Sequence, residues 1–399
     1  MLSYLHAFHA GNHADILKHA ALIQLLKKLD QKSAPYSFFD THAGSGLYST
    51  QGEKARKTGE AARGVLALAE CAGKEAAQDL NGSGPNSGLA TDTGSSPKSG
   101  ADQEALQDLN GGQQETDASL KSGGALPAAL LDYLNFVRPY LARDLYPGSP
   151  LIERAFLRPG DAHAICELHP AEFEALKENC ARDFGLNRAF GPDQEGAAPS
   201  SGLPTDTASR SKNAAASSGL ANLPHTQILK ADGFKTLLAQ TPPKIKRGAV
   251  LIDPSYEEAA DYDAVAKTVI AVHKKWSAGI IMVWYPLLAH RAAEIEKMIE
   301  SISAAAKIQN ANTNILRADF CVDTAQSHTE MPLKENAAAK AAALSSKTGL
   351  SNTAPRLYGS GILVINAPWK LDQELDEALK HLSRVPGVAT EPSYTVELL

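Results

Sequence analysis

Between Gly248 and Asp253 the chain reads GAVLID, and between Gly279 and Tyr285 it reads GIIMVWY. Runs this apolar suit strands covered on both faces, which happens when helices pack on either side of a parallel sheet. Other segments fit the same plan. Tyr36–Asp40, Ala162–Leu168, Thr226–Ala231 and Gly359–Asn366 read as strands. Ala14–Leu29, Pro170–Asp183, Gly233–Ala239 and Arg291–Ala306 read as helices, the first with Ile16, Leu17, Ala20, Ala21, Leu25 and Leu29 on one face. Alternating strand and helix predicts a doubly wound α/β sheet. Such sheets bind ligands beyond the carboxyl ends of their strands.

Three segments break this rhythm: 73–124, 190–224 and 334–354 are rich in Gly, Ser, Ala, Asp and Pro. They lack the apolar periodicity that offsets ordering entropy, and they read as surface insertions. The first two share a near-repeat, SGLATDT at 87–93 and SGLPTDT at 201–207. Without the three, about 290 of the 399 residues remain, which fits one elaborated domain. The expected division is 1–72 for the N-terminal helix and first ligand loop, 125–150 for a helical subdomain, and 151–189, 225–333 and 355–399 for the rest of the core.

The net charge of −6 argues against a generally basic nucleic-acid binder. That average misleads, because residues 73–124 hold eight acidic and three basic side chains and leave a nearly neutral remainder. Four scattered cysteines with no C-x-x-C pair suit a reducing compartment and offer no zinc framework. His9 and His13 have the spacing of two metal ligands on a helix, but Gly11 and Asn12 interrupt it, and no metal is expected. With no long apolar run and no signal-like N-terminus, a cytoplasmic protein without membrane contact is expected.

The candidate chemistry sits at strand ends. After the first strand comes Asp40-Thr-His-Ala-Gly44, where Gly44 lets backbone approach a ligand and Asp40 suits a cationic amino group. Glu167 ends the second strand, where a carboxylate takes a ribose diol. Asp232 follows the third, placed to accept from an adenine amino group or to cap the next helix. Asp253, Pro254, Ser255 and Tyr256 follow the fourth. The amine of an aromatic base is a weak nucleophile, because its lone pair is delocalised. Two acceptors on its hydrogens, the Asp253 carboxylate and the Pro254 carbonyl, favour a pyramidal nitrogen, while Tyr256 is spaced to stack on the base. Asn366-Ala367-Pro368-Trp369 is a second, weaker copy, with structural or pocket-lining roles.

Three acids and a glycine-rich turn in register resemble the Rossmann-like S-adenosylmethionine methyltransferases, and Asp253–Tyr256 resembles the [D/N]-P-P-[Y/F/W] motif of their amino-methylating branch, with Ser255 in place of the second proline. The run FHAGNHADILKH from Phe8 to His19 is similar to the opening of the 23S ribosomal RNA adenine-N6 methyltransferases of the RlmJ family. DTHAG at 40–44, YPGSP at 146–150, ELHP at 167–170, KADGF at 230–234, WYP at 284–286 and PWKL at 368–371 extend that resemblance along the chain.

The resemblance implies a Rossmann-like fold with a small helical subdomain between the first and second core strands. It implies S-adenosylmethionine contacts at His19, His42, Ser149, Glu167, Asp232 and Gly233, Asp253 as proton acceptor, and Tyr4 on the RNA. The expected function is methyl transfer to adenine N6 in 23S rRNA by a monomer. A DNA adenine methyltransferase and a non-catalytic RNA-binding protein with the same fold are the rivals.

Overall fold

The computed structural model describes residues 5–82, 126–182, 225–323 and 357–399. Tyr4, both copies of the near-repeat, the second and third insertions and nearly all of the first lie outside them.

Helix α1 (His13–Asp30) leads to β1 (Ser37–Asp40) and β2 (Leu47–Ser49). Then come α2 (Glu53–Thr58), α3 (Glu60–Arg63), α4 (Val65–Gly82), α5 (Ala128–Leu141), β3 (Leu145–Pro147) and α6 (Ser149–Phe156). The core continues through β4 (Ala162–Cys166), α7 (Pro170–Ala181), β5 (His225–Leu229), α8 (Gly233–Gln240) and β6 (Gly248–Ile252). It closes with α9 (Ala259–Lys275), β7 (Ile280–Leu288), α10 (Ala292–Gln309), β8 (Ile315–Cys321), β9 (Leu357–Ile365), α11 (Leu371–Leu382) and β10 (Ser393–Leu398).

Eight strands form one sheet in the order β10-β8-β9-β7-β6-β1-β4-β5. Strands β5, β4, β1, β6 and β7 pair in parallel; β9 runs antiparallel between β7 and β8. This is a Rossmann-like arrangement, and its order reverses at β1. Strand β6 shows why it is wholly apolar: Ala249 and Leu251 pack into the core on the α1 face, Val250 and Ile252 into the core on the α9–α10 face. Between β1 and β4 come α2 to α6 and the paired β2 and β3, and α5 and α6 share one core with α1. One boundary differs from expectation: α4 runs on to Gly82, past the change of composition at Gly73.

The competing Asn366-Ala367-Pro368-Trp369 copy sits at the opposite edge of the sheet from the other strand ends, because β9 is antiparallel. Asn366 adopts φ +58° and its amide donates to the Ser277 and Gly279 carbonyls, both at 2.8 Å, while the Trp369 side chain is exposed. None of its four residues borders the cavity at the carboxyl ends of the parallel strands. Among the described residues no helix is long and apolar enough to cross a membrane, and no three His, Cys, Asp or Glu side chains gather as metal ligands do.

Candidate functional site

A cavity of about 920 Å³ opens along the carboxyl ends of the parallel strands. Its walls include His19, His42, Gly44, Ser149, Glu167, Asp232, Gly233, Asp253 and Pro254, brought together from six separate stretches of chain. Crossing β1 and its neighbours explains this convergence, since each strand end delivers one loop to the same rim.

On the β1–β4–β5 side the polar groups are already oriented. Glu167 accepts the Gly44 N–H at 2.8 Å through one oxygen and the His169 N–H at 2.6 Å through the other. Burial raises its carboxyl, and these two donors pull it part of the way back. Each oxygen keeps a lone pair for a diol. Asp232 caps α8, accepting the Lys235 N–H at 3.1 Å, and it borders the cavity. Gly233 sits so tightly that a Cβ would lie 2.0 Å from the Thr41 carbonyl oxygen. The Thr41 hydroxyl donates to the Leu251 carbonyl (3.1 Å), so the His42 Nδ1 2.8 Å away carries the proton and Nε2 is left as an acceptor. Burial keeps His42 neutral, pulling it down to about 4.

Asp40 departs from expectation. It does not border the cavity, and its carboxylate lies beneath it, accepting from Ser149 Oγ at 2.7 Å and from the His42 N–H at 3.0 Å. Burial and the neighbouring Glu153 push its carboxyl well above the ordinary range. At this depth Asp40 bonds two cavity residues and does not itself face the cavity. Tyr256 is the second correction. Its backbone takes φ +51°, its ring is buried between Tyr262 and Trp284, and its hydroxyl donates to the Trp284 carbonyl at 2.8 Å. The ring therefore packs in the core and cannot stack on a base in this arrangement. The indole of Trp284 borders the cavity instead.

Sequence reasoning missed Lys18 and Asp15. Both are buried on α1, and the Lys18 ammonium bridges Asp15 (3.0 Å) and Asp253 (2.8 Å) while lying 5.6 Å from the centroid of the Trp284 ring. Asp15 also meets His6 Nε2 at 2.9 Å and the Gly11 N–H at 2.8 Å. Burial would raise Asp15, but His6 and Lys18 hold it well below the usual carboxylate range. Asp253 stands the other way: burial raises it, and Lys18 and His6 offset only part. An acid and a lysine three residues apart, set among Ile16, Leu17, Ala20 and Ala21, were the available signal. His19 completes the wall; its Nδ1 meets the Tyr146 hydroxyl at 2.8 Å, which meets the Tyr133 hydroxyl at 3.0 Å, and burial takes the imidazole down to about 3.

Residues 33–80, 98–190 and 214–336 match the family described as "Ribosomal RNA large subunit methyltransferase D, RlmJ". Two relatives, each called "Ribosomal RNA large subunit methyltransferase J", align over nearly the whole chain. The one from Escherichia coli (strain K12) is 28% identical over 97% of this chain and 95% of its own. The one from Haemophilus influenzae is 28% identical over 100% and 98%. A crystal structure of a Legionella pneumophila protein of a family designated DUF519 shares the fold, with a TM-score of 0.59, 21% identity and 98% of both chains covered.

Proposed function

Since the chain belongs to the RlmJ family of ribosomal RNA large subunit methyltransferases, we propose that it transfers a methyl group from S-adenosylmethionine to the N6 amine of an adenine in 23S rRNA. The observation that carries this reading is the Asp253 carboxylate, half-buried at the end of β6, lining the cavity and held by a lysine that the fold delivers from α1.

The residues present fit the donor. Glu167 offers free lone pairs for a ribose diol, Asp232 and the His42 Nε2 are acceptors and donors' partners on the same wall, and the bare Gly44 and Gly233 keep that wall open to close approach. When bound, S-adenosylmethionine supplies an electrophilic methyl group on a sulfonium. His19, His42, Ser149, Glu167, Asp232, Gly233 and Gly44 are the residues assigned to hold it, with Asp40 acting through Ser149 and His42.

The other half of the cavity handles the base. The target adenine leaves its stack and enters beside Asp253. Its amine donates to the Asp253 carboxylate and the Pro254 carbonyl, which favours the pyramidal nitrogen that attacks. Asp253 takes the proton released as the amine becomes secondary. Lys18 favours the ionised form of Asp253, which burial opposes, and it in turn is held by Asp15, which His6 contacts. Trp284 supplies the aromatic surface here, in place of Tyr256. Tyr4 is assigned to the RNA. Positioning supplies most of the rate.

The reading is tested by incubating the protein with S-adenosylmethionine and protein-free 23S rRNA, then digesting to nucleosides. N6-methyladenosine is the expected product; a methylated cytidine or guanosine as the only product would overturn the assignment.

A further inference from the structure

The cavity extends past the residues assigned to the donor and to the target base. Beyond Asp253 on β6 it passes Trp284 on β7 and continues under the ends of β9 and β8, where Leu288, Val322, Leu357 and Val388 line it. Strand spacing of about 4.8 Å puts these walls roughly 5–14 Å past Asp253. Leu288 and Leu357 are cross-strand partners at the rim of β7 and β9, both half-buried, and form an apolar floor. The segment after α11 closes the far wall, held there by the Thr390 N–H on the Val322 carbonyl at 2.9 Å.

Among the described residues, the lysine and arginine that line the cavity are Lys18, paired with Asp253, and Arg63 on α3. Around Leu288 and Val322 the wall is mostly apolar, with Asp323, Thr390 and His13, whose ring centroid lies 6.4 Å from that of Phe320. An apolar floor with polar groups at its margin suits a base, which presents an apolar face and a polar edge.

We propose that this far end is a second nucleotide subsite, taking the base of the residue that adjoins the target adenine in single-stranded RNA. It rests on the methyltransferase reading above and extends it: the enzyme recognises an unstacked dinucleotide, with the first base at Asp253 and the second on the Leu288–Leu357 floor.

The test measures inhibition of methyl transfer to protein-free 23S rRNA by AMP, by the dinucleotides ApC and CpA, and by counterparts of each lacking the cytosine base. One of the two dinucleotides is expected to inhibit about tenfold better than AMP and than its baseless counterpart, the scale of roughly 55 Å² of apolar surface taken out of water. In a Leu288→Ser/Leu357→Ser variant that advantage should fall to about twofold or less, while the KM for S-adenosylmethionine stays at the parent value. Val322→Asp, at a half-buried position on the same wall, should do likewise if the double variant does not fold. Dinucleotides no better than their baseless counterparts, or an advantage that survives in the variants, would overturn the subsite and leave the methyltransferase reading intact. Absence of transfer to 23S rRNA by the parent protein would overturn both.

Discussion

Replacing Lys18 by Met keeps the length and apolar stem of the side chain and removes its charge from a buried position between two acids. The ammonium lies 2.8 Å from Asp253 Oδ2. At an effective dielectric of about 20, that separation is worth at most about 6 kcal/mol, or about four pH units on the carboxyl. Sharing the ammonium with Asp15 and desolvating it reduce the effect, and opposite charges at such range move a carboxyl by about 1–3 pH units. The sign follows from the site. Burial already raises Asp253, and Lys18 is among the groups that restrain it, so without Lys18 it rises further and stays protonated over a wider range. Transfer requires the ionised form. The acidic limb of the kcat/KM profile for 23S rRNA should therefore move to higher pH by about 1–3 units. At a fixed pH on that limb the loss is about 10- to 1000-fold, and it is recovered on making the solution more alkaline. The assay is labelled methyl transfer across the pH range, with thermal melting at each pH to establish folding. A profile lowered equally at every pH, or an unmoved limb, would refute the electrostatic role of Lys18.

Other perturbations give separable outcomes. Glu153 is fully buried against His163 (2.8 Å), and burial pushes its carboxyl up to about 8. Its protonated form contributes stability that is complete below the unfolded value of about 4.5 and is lost as pH rises through about 8. Glu153→Gln should flatten that part of the melting-temperature profile and exceed the parent above pH 8; a parallel profile would contradict this. Ser149→Ala removes a 2.7 Å bond to Asp40 and should weaken binding of S-adenosylhomocysteine about tenfold by calorimetry, with little change in fold. Tyr256→Phe removes the bond to the Trp284 carbonyl and should cost about 1 kcal/mol in urea unfolding while leaving KM for RNA within about twofold; a large KM effect would show that the hydroxyl serves RNA binding. Gly233→Ala should abolish donor binding or destabilise the loop, since its Cβ meets the Thr41 backbone.

The strands were legible where burial on both faces made them apolar. Strand β8 was not, because Arg317 and Asp319 interrupt ILRADFC: Arg317 pairs with Glu296 on α10, and Asp319 accepts the Tyr285 hydroxyl at 2.5 Å. Strand β10, at the sheet edge, alternates exposed residues and carries little apolar signal. The site was legible as acids at strand ends, a rule that finds loops but gives no depth. It therefore treated Asp40 and Asp253 alike, although one is covered by Ser149 and the other faces the cavity. Side-chain direction was also hidden at Tyr256, whose positive φ turns the ring inward. Lys18 was hidden for a different reason. Its partner Asp253 lies 235 positions away in sequence, and only the packing of α1 over β6 joins them.

The most direct measurement is transfer of a labelled methyl group from S-adenosylmethionine to protein-free 23S rRNA, 16S rRNA and duplex DNA, comparing the parent with Asp253→Asn. The account predicts label on 23S rRNA alone, as N6-methyladenosine, with at least about a hundredfold loss in the variant, the scale of a removed proton acceptor. Equal transfer by the variant would contradict the role of Asp253, and label on DNA in place of 23S rRNA would contradict the substrate.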